Sequence, residues 1–319
     1  MNDLFPKIAG INITRKCNLQ CGYCSTRNNH IIELDEDQWI RAISILDQLG
    51  IEKLVILGGE PTIKPGMENV IRHLSIHTSI DFSIVSNGTA DLSILKGFVN
   101  AGLKKFSASI DTLKGNSLDL YTTLKSQKAL WLFDKLQAYG LESLTAYFVL
   151  SAMTMNQAVE IVEYLSARKI WLYILPYHYG KSAEDFWVTR DKEKKSELAI
   201  TESNMADLTK LMEVLLEMKE NGYLIANSNS FLRDLPSKID GFTWHCLDTI
   251  TELRIDADGS LMCCHDNRGD LSSSFTIFDI ADEEKYREFR RKRAIDAKAC
   301  PGCFWPSQYH SVELLKTSS

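Results

Sequence analysis

The chain has 319 residues, of which 45% are hydrophobic and 24% charged, enough for one large α/β domain plus a smaller unit. Its net charge of -6 argues against a phosphate backbone as partner, because nucleic-acid binding requires a basic face. No apolar run is long enough to span a bilayer, and Met1-Asn2-Asp3 lacks the basic-then-apolar form of a signal peptide, so the expected setting is cytoplasmic with no membrane contact.

In chain order, the apolar run Ile8–Ile13 predicts a first strand. It is followed by Cys17-Asn-Leu-Gln-Cys21-Gly-Tyr-Cys24, a C-x₃-C-x₂-C run. A structural zinc site closes its sphere with four protein ligands. Three thiolates on one tight loop can instead hold three irons of a 4Fe-4S cube and leave the fourth open. Trp39, Ala42, Ile43, Leu46 and Leu49 repeat at helical spacing, and Leu54–Leu57 predicts the second strand. That strand runs into Gly58-Gly59-Glu60-Pro61. The paired glycines permit close approach of a ligand to the backbone, and Glu60 can accept hydrogen bonds from an ammonium group.

Further strands are expected at Phe82–Val85, which ends in Ser86-Asn87-Gly88, and at Phe106–Ile110, which carries Ser107, Ser109 and then Asp111. Leu130, Phe133 and Leu136 mark a helix, and Leu144–Leu150 and Trp171–Leu175 complete six strands. Six β-α units in order imply a parallel sheet too short to close as an eight-stranded barrel. The expected fold is therefore α/β, an open partial (β/α)₆ barrel over 1–200, followed by a connecting helix and strand over 201–240. The segment from Tyr177 to Ala199 is polar and aromatic and reads as a loop or lid. Leu208, Leu211, Met212, Leu215 and Met218 predict one long helix. A small cysteine-rich α+β unit occupies 241–319, with a hairpin at Leu253–Leu261 turning on Asp258-Gly259 and a charged surface helix from Asp282 to Arg293.

Of the eight cysteines, three lie in the first loop and five, Cys246, Cys263, Cys264, Cys300 and Cys303, in the last quarter. Two clusters read as two ligand sites, not as a disulfide framework. Cys246, Cys264, Cys300 and Cys303 suit a tetrahedral zinc ribbon or an iron-sulfur cluster. Four ligands from five cysteines leave one over, Cys263 or alternatively Cys264, since strand alternation turns the two apart. A free cysteine of this kind is either a small buried hydrophobe or a hydrogen-atom donor.

The three-cysteine run, with Tyr23 before its last cysteine, and the Gly58–Pro61 turn one β-α unit later resemble the signature of the radical SAM superfamily. The C-terminal cysteines resemble the shortened SPASM unit called a twitch domain. The resemblance runs from about Lys7 to Pro306. It implies two 4Fe-4S clusters, one on Cys17, Cys21 and Cys24 and an auxiliary one on Cys246, Cys264, Cys300 and Cys303. It implies S-adenosylmethionine as cofactor, with its ammonium at Gly58, Gly59, Glu60 and Pro61. Tyr23 would lie near the adenine, with Ser86, Asn87, Ser107 and Ser109 around the cofactor.

Reductive cleavage of the cofactor to a 5′-deoxyadenosyl radical, fed by a low-potential donor such as flavodoxin or ferredoxin, would then activate a carbon of a small polar molecule or a peptide. Radical SAM epimerases that pair a twitch-type unit with a spare thiol make epimerisation, with Cys263 as hydrogen donor, the expected outcome. The alternatives are a dehydrogenase or cross-linking enzyme, and a non-enzymatic zinc- or cluster-binding electron-transfer protein. Arg15, Lys16, Tyr177, His178, Tyr179, Lys181, His265 and Asp266 are candidate pocket residues.

Overall fold

A computed structural model describes residues 5–21, 24, 31–114, 120–177, 197–241, 252–263, 275–299, 306 and 309. All six expected strands form: β1 (Ile8–Asn12), β2 (Lys53–Leu57), β3 (Asp81–Ser86), β4 (Lys105–Ser109), β5 (Ser143–Leu150) and β6 (Trp171–Pro176). They pair in sequential order and every pairing is parallel. Between them run α1 (Glu36–Gln48), α2 (Met67–His77), α3 (Leu92–Asn100), α4 (Leu120–Leu136) and α5 (Ala158–Ser166). The start of α1 is set by a capping box: the Gln38 amide donates to Asp35 and the Asp35 amide to the Gln38 side chain, both at 2.9 Å.

The strands alternate. On β5, Leu144, Ala146, Phe148 and Leu150 are buried, while Thr145, Tyr147 and Val149 are half-buried on the other face. These residues share one core with Trp39, Ile43 and Leu46 of α1 and Leu132 and Phe133 of α4. Each such side chain contributes about 1.5–3 kcal/mol. The half-buried face is the inner face of an open half-barrel, and its far end, where the strands finish, holds the loops that carry chemistry.

Beyond β6, α6 (Met205–Glu220) buries Leu208, Met212, Leu215 and Met218 along one stripe. The strand expected next, before residue 240, does not form. Ile225 makes a single bridge to Leu172, and the chain then enters a second helix, α7 (Asn229–Gly241). The hairpin forms as β7 (Leu253–Ile255) and β8 (Leu261–Met262). Gly259 takes φ +84°, and Asp258 accepts from the amide and hydroxyl of Ser260.

β7 pairs in parallel with β1, placing Gly10 opposite Arg254. The hairpin thus extends the barrel sheet to eight strands, in the order β6-β5-β4-β3-β2-β1-β7-β8. A Cβ on Gly10 would lie 2.1 Å from the Arg254 guanidinium, so a larger residue there would have to displace that side chain. A further helix, α8 (Glu283–Ala299), is charged outside but buries Tyr286 and Phe289, with Tyr286 stacked on Phe5 at 4.1 Å. No helix among the described residues is long and apolar enough to cross a membrane.

Candidate active site

β1 and β2 remain side by side past their ends. The amides of Ile13, Gly59 and Glu60 donate to the carbonyls of Leu57, Thr14 and Lys16 at 2.9, 2.7 and 2.8 Å. This seam delivers the chain to Cys17 alongside the Gly58–Pro61 turn. A Cβ on Gly58 would sit 2.4 Å from the Thr14 carbonyl oxygen, and one on Gly59 2.1 Å from that of Lys16. The close approach that calls for two glycines is made by the chain's own backbone.

Glu60 is fully buried. One carboxylate oxygen accepts from the Thr62 amide (3.1 Å), the Thr62 hydroxyl (2.6 Å) and the Ser86 hydroxyl (2.8 Å). The other accepts from the Asn87 amide at 2.6 Å. Burial pushes its pKa above the ordinary carboxylate value, and the four donors offset part of that push. All four donors are neutral.

Ser86 and Asn87 therefore meet at this carboxylate, as expected from their place at the end of β3. Asn87 continues the link to the cysteine loop: its side-chain amide donates to Asn18 at 2.8 Å and lies 3.7 Å from the Cys17 sulfur. The Leu19 amide donates to the same sulfur at 3.4 Å. Burial raises the Cys17 thiol. The Cys24 amide donates to the Cys21 carbonyl at 3.2 Å, folding the loop back on itself. None of the three is in a disulfide, and among the described residues no three acidic, cysteine or histidine side chains are drawn around one point. As a donor set, three thiols on one loop suit iron-sulfur chemistry.

Ser109 pairs with Tyr147 across β4 and β5, Ser107 pairs with Thr145, and Tyr147 pairs with Tyr173 on β6. The two tyrosine rings lie 5.1 Å apart. Burial pushes the Tyr147 phenol up to about 12 and raises Tyr173 as well. Ser107 is buried and Ser109 half-buried.

Lys125 of α4 was not anticipated from the sequence. It is buried against Asp111, with 2.7 Å between Nζ and Oδ2. Asp111 also accepts from the Val149 amide at 3.1 Å. The field of Asp111, and of Cys21 and Cys24, holds Lys125 charged against the cost of burial. A lysine inside a polar-apolar helix pattern carries no local signal of this. Arg15 pairs with Asp256, Arg254 with Glu252 at 2.7 Å, and Tyr177 is buried beside Leu198. Tyr23, His178, Tyr179, Lys181, Cys246, Cys264, His265, Asp266, Cys300 and Cys303 lie outside the described residues.

Cys263 does not face this site. Arg254 and Met262 are cross-strand partners, and the Met262 sulfur lies 3.8 Å from the Asn12 side chain. Strand alternation turns the next residue the other way. The Cys263 thiol meets Asp296 of α8 instead, and burial together with that carboxylate pushes it up to about 12.

Residues 11–165 match the radical SAM superfamily. The chain is similar to the probable GTP 3',8-cyclase of Methanococcus vannielii, at 26% identity over 88% of this chain and 91% of that protein. It is also similar to the GTP 3',8-cyclase of Thermodesulfovibrio yellowstonii, at 25% identity over 87% of each. Among solved structures it resembles Streptococcus suis SuiB bound to S-adenosylmethionine, with a TM-score of 0.64 and 17% identity over 90% of this chain and 68% of that one. Native anSMEcpe with bound AdoMet and a Cp18Cys peptide gives a TM-score of 0.61 and 21% identity over 90% and 83%. At those identities the solved structures bear on the fold alone.

The relatives overturn the expected reaction. They are GTP cyclases, not epimerases of peptides or sugars, and the thiol assigned as hydrogen donor is turned toward α8. The fold, the three-cysteine loop and the family match agree: residues 11–165 form a radical SAM domain.

Proposed function

We propose that this radical SAM enzyme acts on GTP or a closely related purine nucleotide. The choice of GTP rests on similarity to GTP 3',8-cyclases along nearly the whole of both chains, and the observation in the structure that supports S-adenosylmethionine as cofactor is the Glu60 carboxylate. A buried carboxylate met by four neutral donors favours a cationic ligand, and the ammonium of S-adenosylmethionine supplies one. Thr62, Ser86 and Asn87 hold the carboxylate in place for it. Cys17, Cys21 and Cys24 take the 4Fe-4S cluster, and metal binding draws the thiols together. When bound, cluster and cofactor supply a carbon-centred radical able to take a hydrogen atom from the substrate. The protein's own share is orientation, with Ser109, Tyr147 and Tyr173 lining the inner face of the barrel above which the substrate would lie.

Two finer assignments belong to the same reading. Cys246, Cys264, Cys300 and Cys303 hold a second 4Fe-4S cluster in a twitch-like unit, so reconstituted protein should contain about eight irons. A low-potential flavodoxin or ferredoxin in the cytoplasm supplies the electron.

The test is anaerobic incubation of reduced, reconstituted protein with S-adenosylmethionine and GTP, ATP or no nucleotide. Formation of 5′-deoxyadenosine that rises with GTP, together with a new product of GTP mass, supports the reading. Cleavage indifferent to nucleotide removes GTP from it, and no cleavage in any condition removes the enzyme.

A further inference from the structure

The residue two positions before the first cluster cysteine is held at both ends by carboxylates from distant parts of the chain. The Arg15 amide donates to Glu33 at 2.8 Å. Its guanidinium donates from Nε to Asp256 at 3.0 Å and pairs through Nη2 with the second Asp256 oxygen. Asp256 follows β7, and Glu33 lies on the arm that returns from the cysteine loop. Both anchors are tied further. Glu33 accepts from the Thr14 hydroxyl at 2.9 Å and from Lys64 at 3.1 Å, and Lys64 directly follows the Pro61–Ile63 turn. Lys64 also donates to the Leu34 carbonyl at 2.7 Å, and the Leu34 amide donates to the Ala257 carbonyl at 2.8 Å. Asn12 adds a bond to Asp256 at 3.3 Å.

A helical or turn-forming segment needs none of this. Residues 13–21 form neither helix nor strand, so the contacts made at Arg15 set the path by which the chain enters the cysteine loop. Here the grip on the entry arm is Arg15, and one of its two holders comes from residue 256, on the hairpin that joins the barrel edge.

We propose that Asp256 and Glu33 are positioning residues for Cys17, so that the C-terminal hairpin fixes the geometry of the cluster-binding loop. The proposal rests on the reading that Cys17, Cys21 and Cys24 hold the cluster. Arg15 transmits the constraint: with its backbone fixed by Glu33 and its side chain by Asp256, the next two residues reach the Gly58–Pro61 seam in one register. Ligand-orienting partners of this kind change metal affinity by about 10–100-fold when removed.

The test uses the full chain, reconstituted anaerobically, without any substrate. Asp256→Asn and Glu33→Gln are compared with wild type for iron release to a chelator and for the midpoint potential of the cluster. The electron paramagnetic resonance spectrum of the reduced cluster, and its change on adding S-adenosylmethionine, are recorded as well. Because a single substitution leaves Arg15 buried without its anion, the double variant Arg15→Met with Asp256→Leu removes both charges and serves as the folding control. The expected result is iron release about tenfold faster and an altered spectrum in all three variants, including a double variant that melts like wild type. A double variant with wild-type melting, iron retention, potential and spectrum overturns the proposal. So does a set of variants in which iron loss merely follows loss of folding while the spectrum of the bound cluster is unchanged. Wild-type protein that takes up no iron overturns the cluster reading beneath it.

Discussion

Replacing Glu60 by glutamine probes the buried carboxylate with almost no change of shape. One carboxylate oxygen takes three donors and the other takes only the Asn87 amide. The glutamine NH₂ is least costly in the second place, where it meets the Asn87 N–H donor to donor. One charge-assisted bond is lost there, about 1.5–3 kcal/mol. On the proposed reading, the ammonium of S-adenosylmethionine would lose its anion in the same step. A binding loss of about 1.4–2.8 kcal/mol corresponds to a dissociation constant 10–100-fold higher.

Stability should carry a pH signature as well. Burial raises the folded pKa of Glu60, so its contribution is fully present below the unfolded pKa and is lost as pH rises through the folded value. Wild type should therefore exceed Glu60→Gln in stability most in acid, with the gap closing toward neutral pH. Urea denaturation of cluster-free protein at several pH values measures this, and equilibrium dialysis of reconstituted protein measures cofactor binding. An unchanged dissociation constant, or a stability gap that widens as pH rises, would refute the reasoning.

Gly59→Ala should break the seam between the cysteine loop and the turn, since its Cβ would press 2.1 Å from the Lys16 carbonyl oxygen. We expect a loss of about 1–3 kcal/mol and lower iron content after reconstitution, and normal iron with normal stability would contradict it. Lys125→Met should cost about 3–5 kcal/mol by stranding Asp111, whereas Lys125→Met with Asp111→Leu should recover much of that loss, as read by denaturant midpoints. Asp279, held down to about 2 chiefly by its hydrogen bond from Lys285, should contribute stability above the ordinary carboxylate pKa and lose it as pH falls through about 2. The pH dependence of Asp279→Asn against wild type should show that difference shrinking in strong acid.

What the sequence displayed was what is local. Period-2 runs such as Leu144–Leu150 give a strand because alternate residues meet the helix layer, and Trp39, Ile43 and Leu46 give a helix because they form its buried stripe. The three cysteines and the Gly58–Pro61 turn announced the site because their spacing is contained in single loops. Pairing between residues separated by most of the chain left no such mark. Nothing in Leu253–Ile255 indicates that it lies parallel to β1, or that Asp256 reaches Arg15.

The face of Cys263 depended on that same pairing. Strand alternation separates it from its neighbour, but only the register of β8 against β7 shows that Met262 takes the inner side. The glycines were visible while their partner was not: spacing signals that something approaches closely, and the structure assigns that approach to the Thr14–Lys16 backbone. Lys125 was missed because a buried lysine on an amphipathic helix looks like a solvated one until its acid partner, fourteen residues earlier, is placed beside it.

The most direct test of the central claim is production of 5′-deoxyadenosine by the reduced, reconstituted protein given S-adenosylmethionine and GTP under strict anaerobiosis. The account requires its formation by wild type, stimulation by GTP over ATP, and loss in a Cys17→Ala, Cys21→Ala, Cys24→Ala variant. Iron-loaded wild-type protein that leaves S-adenosylmethionine intact in the presence of GTP would contradict it.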